Sequence, residues 1–296
     1  MKSLTAEAKD EIAIMQQSDC CNTALLSALI HSAGSISFSH QGIGVYVASE
    51  NRSVIRLTAS LVTELYGGKC VRRKNELGIK GEYVFEMLFD LGILTYYGDT
   101  IGAMAGINGF VITNECCAKA YLKGLFLGCG SVSVNKKYHL EMSFSTQDMA
   151  VDTITLLDSF GVKAKYTPRK ERHVVYIKSS DSISDFLALV GANKAVLDLA
   201  NTTAMRSVNT YTNRRINCDM ANTDKTVEAS LRQIQAIDKI FATLTDKKLI
   251  ATAKARLDNP DASYETLAEI LGVSKGCVKY RLNKLIELSL EQSSKG

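Results

Sequence analysis

The sequence predicts an α+β domain of two αββαββα repeats about a pseudo-twofold axis, followed by an all-α domain. Three observations predict it. First, the chain repeats itself. Asp19-Cys20-Cys21 opens a stretch that ends at Gly34 and Ser35-Ile36-Ser37, and Glu115-Cys116-Cys117 opens a second that ends at Gly130 and Ser131-Val132-Ser133, at one constant offset with no gap. Second, each stretch passes from helical to alternating apolar periodicity. Third, beyond residue 204 the alternating patterns stop and only helical ones remain. Two copies indicate a pseudo-symmetric domain, because a solenoid needs about three or more repeats.

Each repeat builds up in the same order. Asp19 and Asn114 are placed to cap a helix, since a short polar side chain accepts from free N–H groups. The first helix carries Ala24, Leu25, Ala28 and Leu29, and its counterpart carries Ala120, Leu122, Leu125 and Phe126. Both finish on small residues, Ser32-Ala33-Gly34 and Gly128-Cys129-Gly130, so two backbones can approach closely. Strands follow at 35–38 and 131–134, then at 44–47 and 139–144. Helices at 54–65 and 149–160 each run into a glycine, Gly67 or Gly161. A basic strand pair comes next. It holds Arg72, Arg73, Lys74 and Lys80 with a strand at 83–85 in the first copy, and Lys163, Lys165, Arg169, Lys170 and Arg172 with a strand at 174–178 in the second. A helix at 183–190 closes the second copy. The boundaries expected are 1–204 for this domain, with repeats at about 1–98 and 99–204, then a linker over 205–222 and a helical domain over 223–296.

The connector 205–222 is polar, rich in Asn and Arg, and lacks an apolar stripe. An amphipathic helix is expected at 224–241, with Val227, Leu231, Ile234 and Phe241 on one face. Another at 247–257 stops at Asn259-Pro260. Ser263 then caps a helix through Leu267, Ala268 and Leu271, Gly272 turns the chain, and Ser274 caps a second helix through Val278, Leu282 and Leu285. Ala268 permits a close crossing, Gly272 takes a left-handed turn, and Val278 fills the space between the helices, as in a helix-turn-helix. The second helix has four basic residues and no acid before Ile286. That pattern suits docking in a DNA major groove. Ser274, Lys275, Gly276, Lys279, Tyr280, Arg281 and Lys284 are the candidate DNA-binding residues. Arg72, Arg73, Lys74, Lys165, Arg169, Lys170, Arg206, Arg214 and Arg215 are candidate phosphate contacts, although basic residues on a sheet or connector equally make an ordinary solvated face.

Composition narrows the classes further. The chain has 296 residues, 46% apolar and 22% charged, with a net charge of +4. The longest apolar stretch, 101–112, is Gly-rich and short of the about 20 residues that cross a bilayer. The N-terminus lacks a basic-then-apolar signal pattern, so a cytoplasmic protein with no membrane partner is expected, and the DNA-binding pattern makes nucleoid association the finer expectation. There are eight cysteines but no CxxC pair and four histidines, so zinc spacing is missing and packing is the expected cysteine role. No metal or cofactor is expected.

Leu122-Lys123-Gly124-Leu125-Phe126-Leu127-Gly128-Cys129-Gly130 resembles the LAGLIDADG motif of homing endonucleases, and the stretch from Leu26 to Gly34 is its partner. In that family the residue before the final Gly is an acid, and the two acids hold divalent metal. Ala33 and Cys129 stand there in this chain. A methyl and a thiol are poor ligands for a hard cation, so the resemblance implies the scaffold without the catalysis. The segment from Ser263 on resembles region 4 of bacterial sigma factors. The whole arrangement, with Asn213-Arg214-Arg215-Ile216-Asn217-Cys218 between the domains, resembles the WhiA family of bacterial regulators. That resemblance implies a non-catalytic, sequence-specific regulator binding double-stranded DNA in sporulation, or in cell division and chromosome segregation. Another transcription regulator or an RNA polymerase sigma factor is a further expected partner. Two alternatives stay open: a protein-interaction scaffold, and a residual nuclease using other acids such as Asp19 or Glu115.

Overall fold

A computed structural model describes residues 3–40, 42–134 and 137–293. The chain forms two compact units that divide between Met205 and Arg206. The first begins with α1 (Leu4–Ala13). The first repeat then runs α2 (Asp19–Ala33), β1 (Gly34–Ser39), β2 (Gly42–Ala48), α3 (Arg52–Tyr66), β3 (Cys70–Arg72), β4 (Glu76–Lys80) and α4 (Tyr83–Asp90). A hairpin of β5 (Leu94–Tyr97) and β6 (Thr100–Ala103) and a 3₁₀ turn (Gly109–Ile112) lead to the second repeat. That repeat runs α5 (Glu115–Cys129), β7 (Gly130–Ser133), β8 (His139–Phe144), α6 (Gln147–Ser159), β9 (Lys165–Arg169), β10 (Arg172–Ile177) and α7 (Ser180–Leu189). Both antiparallel sheets share one strand order, β1-β2-β4-β3 and β7-β8-β10-β9. The αββαββα duplication expected from the sequence is therefore the fold.

α2 and α5 form the centre of the unit. Leu25, Leu26, Leu29, Leu122, Leu125 and Phe126 are buried between and beneath them. Burying each such side chain stabilises the fold by roughly 1.5–3 kcal/mol relative to exposure. The helices touch through backbone. A Cβ at Gly124 would lie 2.5 Å from the Leu25 carbonyl oxygen and 2.6 Å from the Ala28 Cβ, so no larger residue fits. α1 guards a sheet edge. The Thr5 hydroxyl donates to the Val132 carbonyl at 2.8 Å and accepts from the Val132 N–H at 2.9 Å, which satisfies part of edge strand β7.

Several local expectations need correction. Residues 83–85 are not a strand. Gly81, at φ 141, ends β4, and Val84, Met87 and Leu88 then recur at helical spacing and are buried as α4. Asp19 lies inside the first turn of α2 rather than before it, and neither Ser18 nor Asn114, the residues at the two cap positions, makes a side-chain cap hydrogen bond. Asp19 instead places an acid in the first turn, where the helix dipole favours negative charge. The 205–222 stretch, expected as a connector with no stripe, is helical, and the expected helix at 224–241 does not start afresh. Both belong to α8 (Asn193–Ile240), a helix of 48 residues. Its sequence contains no Gly or Pro, so nothing interrupts helix propagation once flanking turns nucleate it.

The second unit packs the end of α8 with α9 (Lys247–Asp258), α10 (Tyr264–Leu271) and α11 (Lys275–Ser293). Ile237, Ile240, Ala253, Leu267, Val278, Leu282 and Leu285 make its core. Arg256 is also buried. Its guanidinium donates to the carbonyls of Ala262 at 2.7 Å, Pro260 at 3.3 Å and Asn259 at 3.4 Å, and so gathers the α9–α10 loop.

Candidate nucleic-acid interface

The helix-turn-helix is assembled as its sequence requires. Ser263 caps α10 by accepting from the Thr266 N–H, and Gly272 adopts φ 62, the left-handed conformation that side chains resist. The Ser274 hydroxyl accepts from the Cys277 N–H at 3.3 Å and starts α11. Val278, Leu282 and Leu285 face inward. The opposite face exposes Lys275, Gly276, Lys279, Tyr280 and Asn283 at helical spacing, with Tyr280 68% exposed.

Three of the expected DNA-binding residues are otherwise engaged. Arg281 is half-buried and its guanidinium donates to the Thr252 hydroxyl at 3.5 Å, so it braces α11 on α9. Lys275 pairs with Glu265, and the hydrogen bond holds that carboxyl below its ordinary pKa. Lys284 pairs with Glu287 at 3.1 Å, which raises the pKa of the lysine. The acid-free run from Lys275 to Leu285 hides these pairs, because both acidic partners lie outside it. Asn283 is an addition to the expected set. Its signal is its spacing, one turn beyond Lys279 and Tyr280 on the exposed face.

The two sheets differ in their open faces. In the second, cross-strand pairing puts Glu141, Ser143, Lys165, Arg169, Arg172 and Tyr176 on one side, opposite the buried Leu140, Met142, Val175 and Ile177. Arg172 is held there by hydrogen bonds to the Ser143 hydroxyl at 3.2 Å and carbonyl at 2.8 Å, and Arg169 lies 3.6 Å from Glu141. Lys170 occupies the β9–β10 turn at φ 56. In the first sheet, Arg72 pairs with Leu77 and so belongs to the buried side, although its position at the edge leaves it exposed. Arg73 and Lys74 follow the end of β3, and Arg73 lies 3.9 Å from Glu76. The open face there carries Lys80, whose ammonium sits 5.5 Å from the Tyr46 ring centroid. The basic clusters recur in sequence but not in position. Of the arginines along α8, Arg214 and Arg215 are exposed and Arg206 is half-buried.

Ala33 and Cys129 are the last residues of α2 and α5. The Cys129 thiol donates to the Leu125 carbonyl at 3.4 Å, and burial pushes its pKa up to about 11. Lys9 of α1 reaches the same place, 5.9 Å from the Phe126 ring centroid and in electrostatic contact with Cys129. A neutral thiol is a poor ligand for a hard dication, and the neighbouring Lys9 ammonium repels one. Asp19 and Glu115 lie at the other ends of these 15-residue helices, about 20 Å away along the axis.

Residues 19–88 match the WhiA N-terminal LAGLIDADG-like domain, residues 118–220 the WhiA LAGLIDADG-like domain, and residues 212–289 the WhiA C-terminal HTH domain. The chain belongs to the WhiA family. It is 36% identical to the probable cell division protein WhiA of Desulforamulus reducens, over 97% of this chain and 95% of that one. It is 34% identical to the protein of that name from Desulfitobacterium hafniense, over 99% and 98%. The crystal structure of full-length WhiA from Thermatoga maritima is similar at a TM-score of 0.60 with 20% identity, covering 98% of this chain and 99% of that one, a likeness of fold.

The fold of this WhiA-family chain also assembles a group that motif spacing could not reveal. Cys20 and Cys21 open α2, and Cys116 and Cys117 open α5. Their four sulfur atoms all lie within 4.8 Å of one another. The sequence offers no CxxC, and its adjacent pairs read as packing residues. What brings them together is the pseudo-twofold crossing of α2 and α5. Duplication is the available signal, since it predicts that equivalent helix starts meet.

Proposed function

We propose that this chain is a non-catalytic, sequence-specific DNA-binding regulator that reads the major groove with α11. The observation that carries the reading is the exposed face of Gly276, Lys279, Tyr280 and Asn283 behind the capped start at Ser274. Lysine supplies phosphate or guanine contacts, and the asparagine amide matches the donor and acceptor pattern of adenine. Lys165, Arg169 and Arg172 add a second basic face that favours phosphate contact by the repeat domain. The name of the relatives supports regulation in cell division; sporulation and chromosome segregation are the finer expectations of the family resemblance. No helix among the described residues is long and apolar enough to cross a membrane.

The test begins with selection of duplexes from a random pool by the full chain. The enriched duplex is then titrated by fluorescence anisotropy with the full chain and with Lys279→Glu/Tyr280→Ala, whose fold is checked by circular dichroism. The double variant is expected to bind at least tenfold more weakly. Equal affinity would remove α11 as the reader. Incubation of that duplex with Mg²⁺ or Mn²⁺ is expected to leave it intact, and specific nicks would overturn the non-catalytic part.

A further inference from the structure

We infer that Cys20, Cys21, Cys116 and Cys117 form a tetrathiolate site for one thiophilic divalent cation, zinc being the first choice, which ties the starts of α2 and α5 together.

A tetrahedral zinc–thiolate centre has bonds of about 2.3 Å, which sets its sulfur–sulfur edges at about 3.8 Å. The four sulfurs here lie within 4.8 Å of one another, and Cys116 and Cys117 are 4.0 Å apart. Small rotations of side chains close that difference. Spacing this tight suits a single ion. A multi-iron cluster holds its cysteines farther apart, because inorganic sulfide and several metal atoms stand between them. The ligand set is complete at four, the number a closed structural zinc site takes.

The surroundings fit the charge. Binding a dication releases four protons from the four thiols to solvent, which leaves a net charge of about −2 at the site. Two helix N-termini meet that charge, since all four cysteines lie in the first turns of α2, beginning at Asp19, and α5, beginning at Glu115, where the helix dipole favours negative charge. The carboxylate of Glu115 is already paired with Lys119 at 2.6 Å. Around the sulfurs the bonding is partly in place. The Ser18 hydroxyl, 3.4 Å from the Cys20 sulfur, can donate to a thiolate there, while the Cys117 thiol gives up its 3.6 Å hydrogen bond to the Cys20 carbonyl when it loses its proton. Cys21 and Cys117 are buried while Cys20 and Cys116 are exposed, which gives an ion a path in and a dry floor. All four are free thiols. The site has the symmetry of the repeat, each half supplying an equivalent pair, so an ion there would cross-link the two halves at the end opposite Ala33 and Cys129.

The test uses the full chain, reduced and stripped with a chelator, titrated with Co²⁺ as a spectroscopic probe. The expected result is one equivalent of cobalt per chain, with intense visible bands and near-ultraviolet sulfur-to-cobalt charge transfer typical of tetrahedral tetrathiolate, bleached by one equivalent of Zn²⁺. Zinc is expected to raise the unfolding temperature, since it binds the folded chain selectively. Cys20→Ser/Cys116→Ser changes only the exposed pair and is expected to fold and to lose the tetrathiolate spectrum. Cys218→Ser, on the exposed surface of α8, is expected to keep it. Absence of tetrahedral bands in the folded, reduced chain overturns the proposal, as does a spectrum unchanged in Cys20→Ser/Cys116→Ser. A Cys20–Cys116 disulfide in protein trapped directly from cells also overturns it.

Discussion

The backbone of Gly124 lies against the Leu25 carbonyl so closely that any Cβ would stand 2.5 Å from that oxygen. This approach sets how near α2 and α5 come to each other. Gly124→Ala is expected to destabilise the chain by about 2 kcal/mol, the overpacking cost exceeding the gain of about 1 kcal/mol in helix propensity. Gly109→Ala is the control, because nothing lies within 4 Å of its added Cβ. Chemical denaturation measures both. A neutral Gly124→Ala would mean that the helices can separate without loss.

On α11 the expected split is between base reading and phosphate neutralisation. Asn283→Ala is expected to cost about 1–3 kcal/mol of discrimination at one base position and to leave the salt slope unchanged. Lys279→Ala is expected to lower the slope if it meets a phosphate. Arg281→Ala is expected to loosen α11 from α9 more than it changes sequence preference, because its guanidinium is turned toward Thr252. Comparing the three variants on a matched and a mismatched duplex at several salt concentrations separates these effects.

The open face of the second sheet makes an independent claim. Replacing Lys165, Arg169 and Arg172 by alanine is expected to reduce the log–log salt slope of DNA binding by up to about 0.9 for each phosphate that is no longer neutralised. The same replacement at Arg72, Arg73 and Lys74 is expected to do less, since Arg72 belongs to the other side of its sheet and Arg73 is close to Glu76. Equal reductions from both triples would contradict this account of the faces.

Arg256 tests the helix-turn-helix core. Arg256→Met removes the donor to the carbonyls of Asn259, Pro260 and Ala262 and leaves them poorly satisfied. The expected cost is about 3 kcal/mol, in the range for breaking a buried charged network. Hydrogen exchange at α10 amides reads it locally. Unchanged protection would show that water satisfies the loop equally well.

His31 is expected to make the repeat domain acid-sensitive. Burial lowers its pKa, against smaller opposing effects of the Met104 carbonyl and Asp152. Its ring nitrogens lie 3.3 Å from the Tyr121 hydroxyl and 3.1 Å from the Met104 carbonyl. The unfolded chain therefore takes up this proton first. Stability is full above the ordinary histidine value of about 6.5 and falls as pH drops below it, until the folded form is protonated too. His31→Gln is expected to flatten that fall between about pH 7 and pH 5. An identical pH profile would place the acid sensitivity elsewhere.

The duplication, the αββαββα order, the small residues at the α2–α5 crossing and the turn at Gly272 are all legible along the chain. Each of these is a local or periodic property. Helical spacing, alternation and residue size act on neighbours in the chain, and a repeat announces its own pairing. That Ala33 and Cys129 stand where the LAGLIDADG resemblance expects acids is legible for the same reason, because aligning the copies marks the two positions. Which way the basic residues face is set only when the chain folds. Arg72 and Lys165 look alike in sequence, but strand register puts them on different sides of their sheets. An acid ten residues back in the chain, Glu265, engages Lys275, and packing on α9 draws Arg281 away from the exposed face. The same is true of the four cysteines. Two adjacent pairs on separate helices carry no ligand spacing along the chain, and their sulfurs meet only because the helices cross about the axis of the repeat.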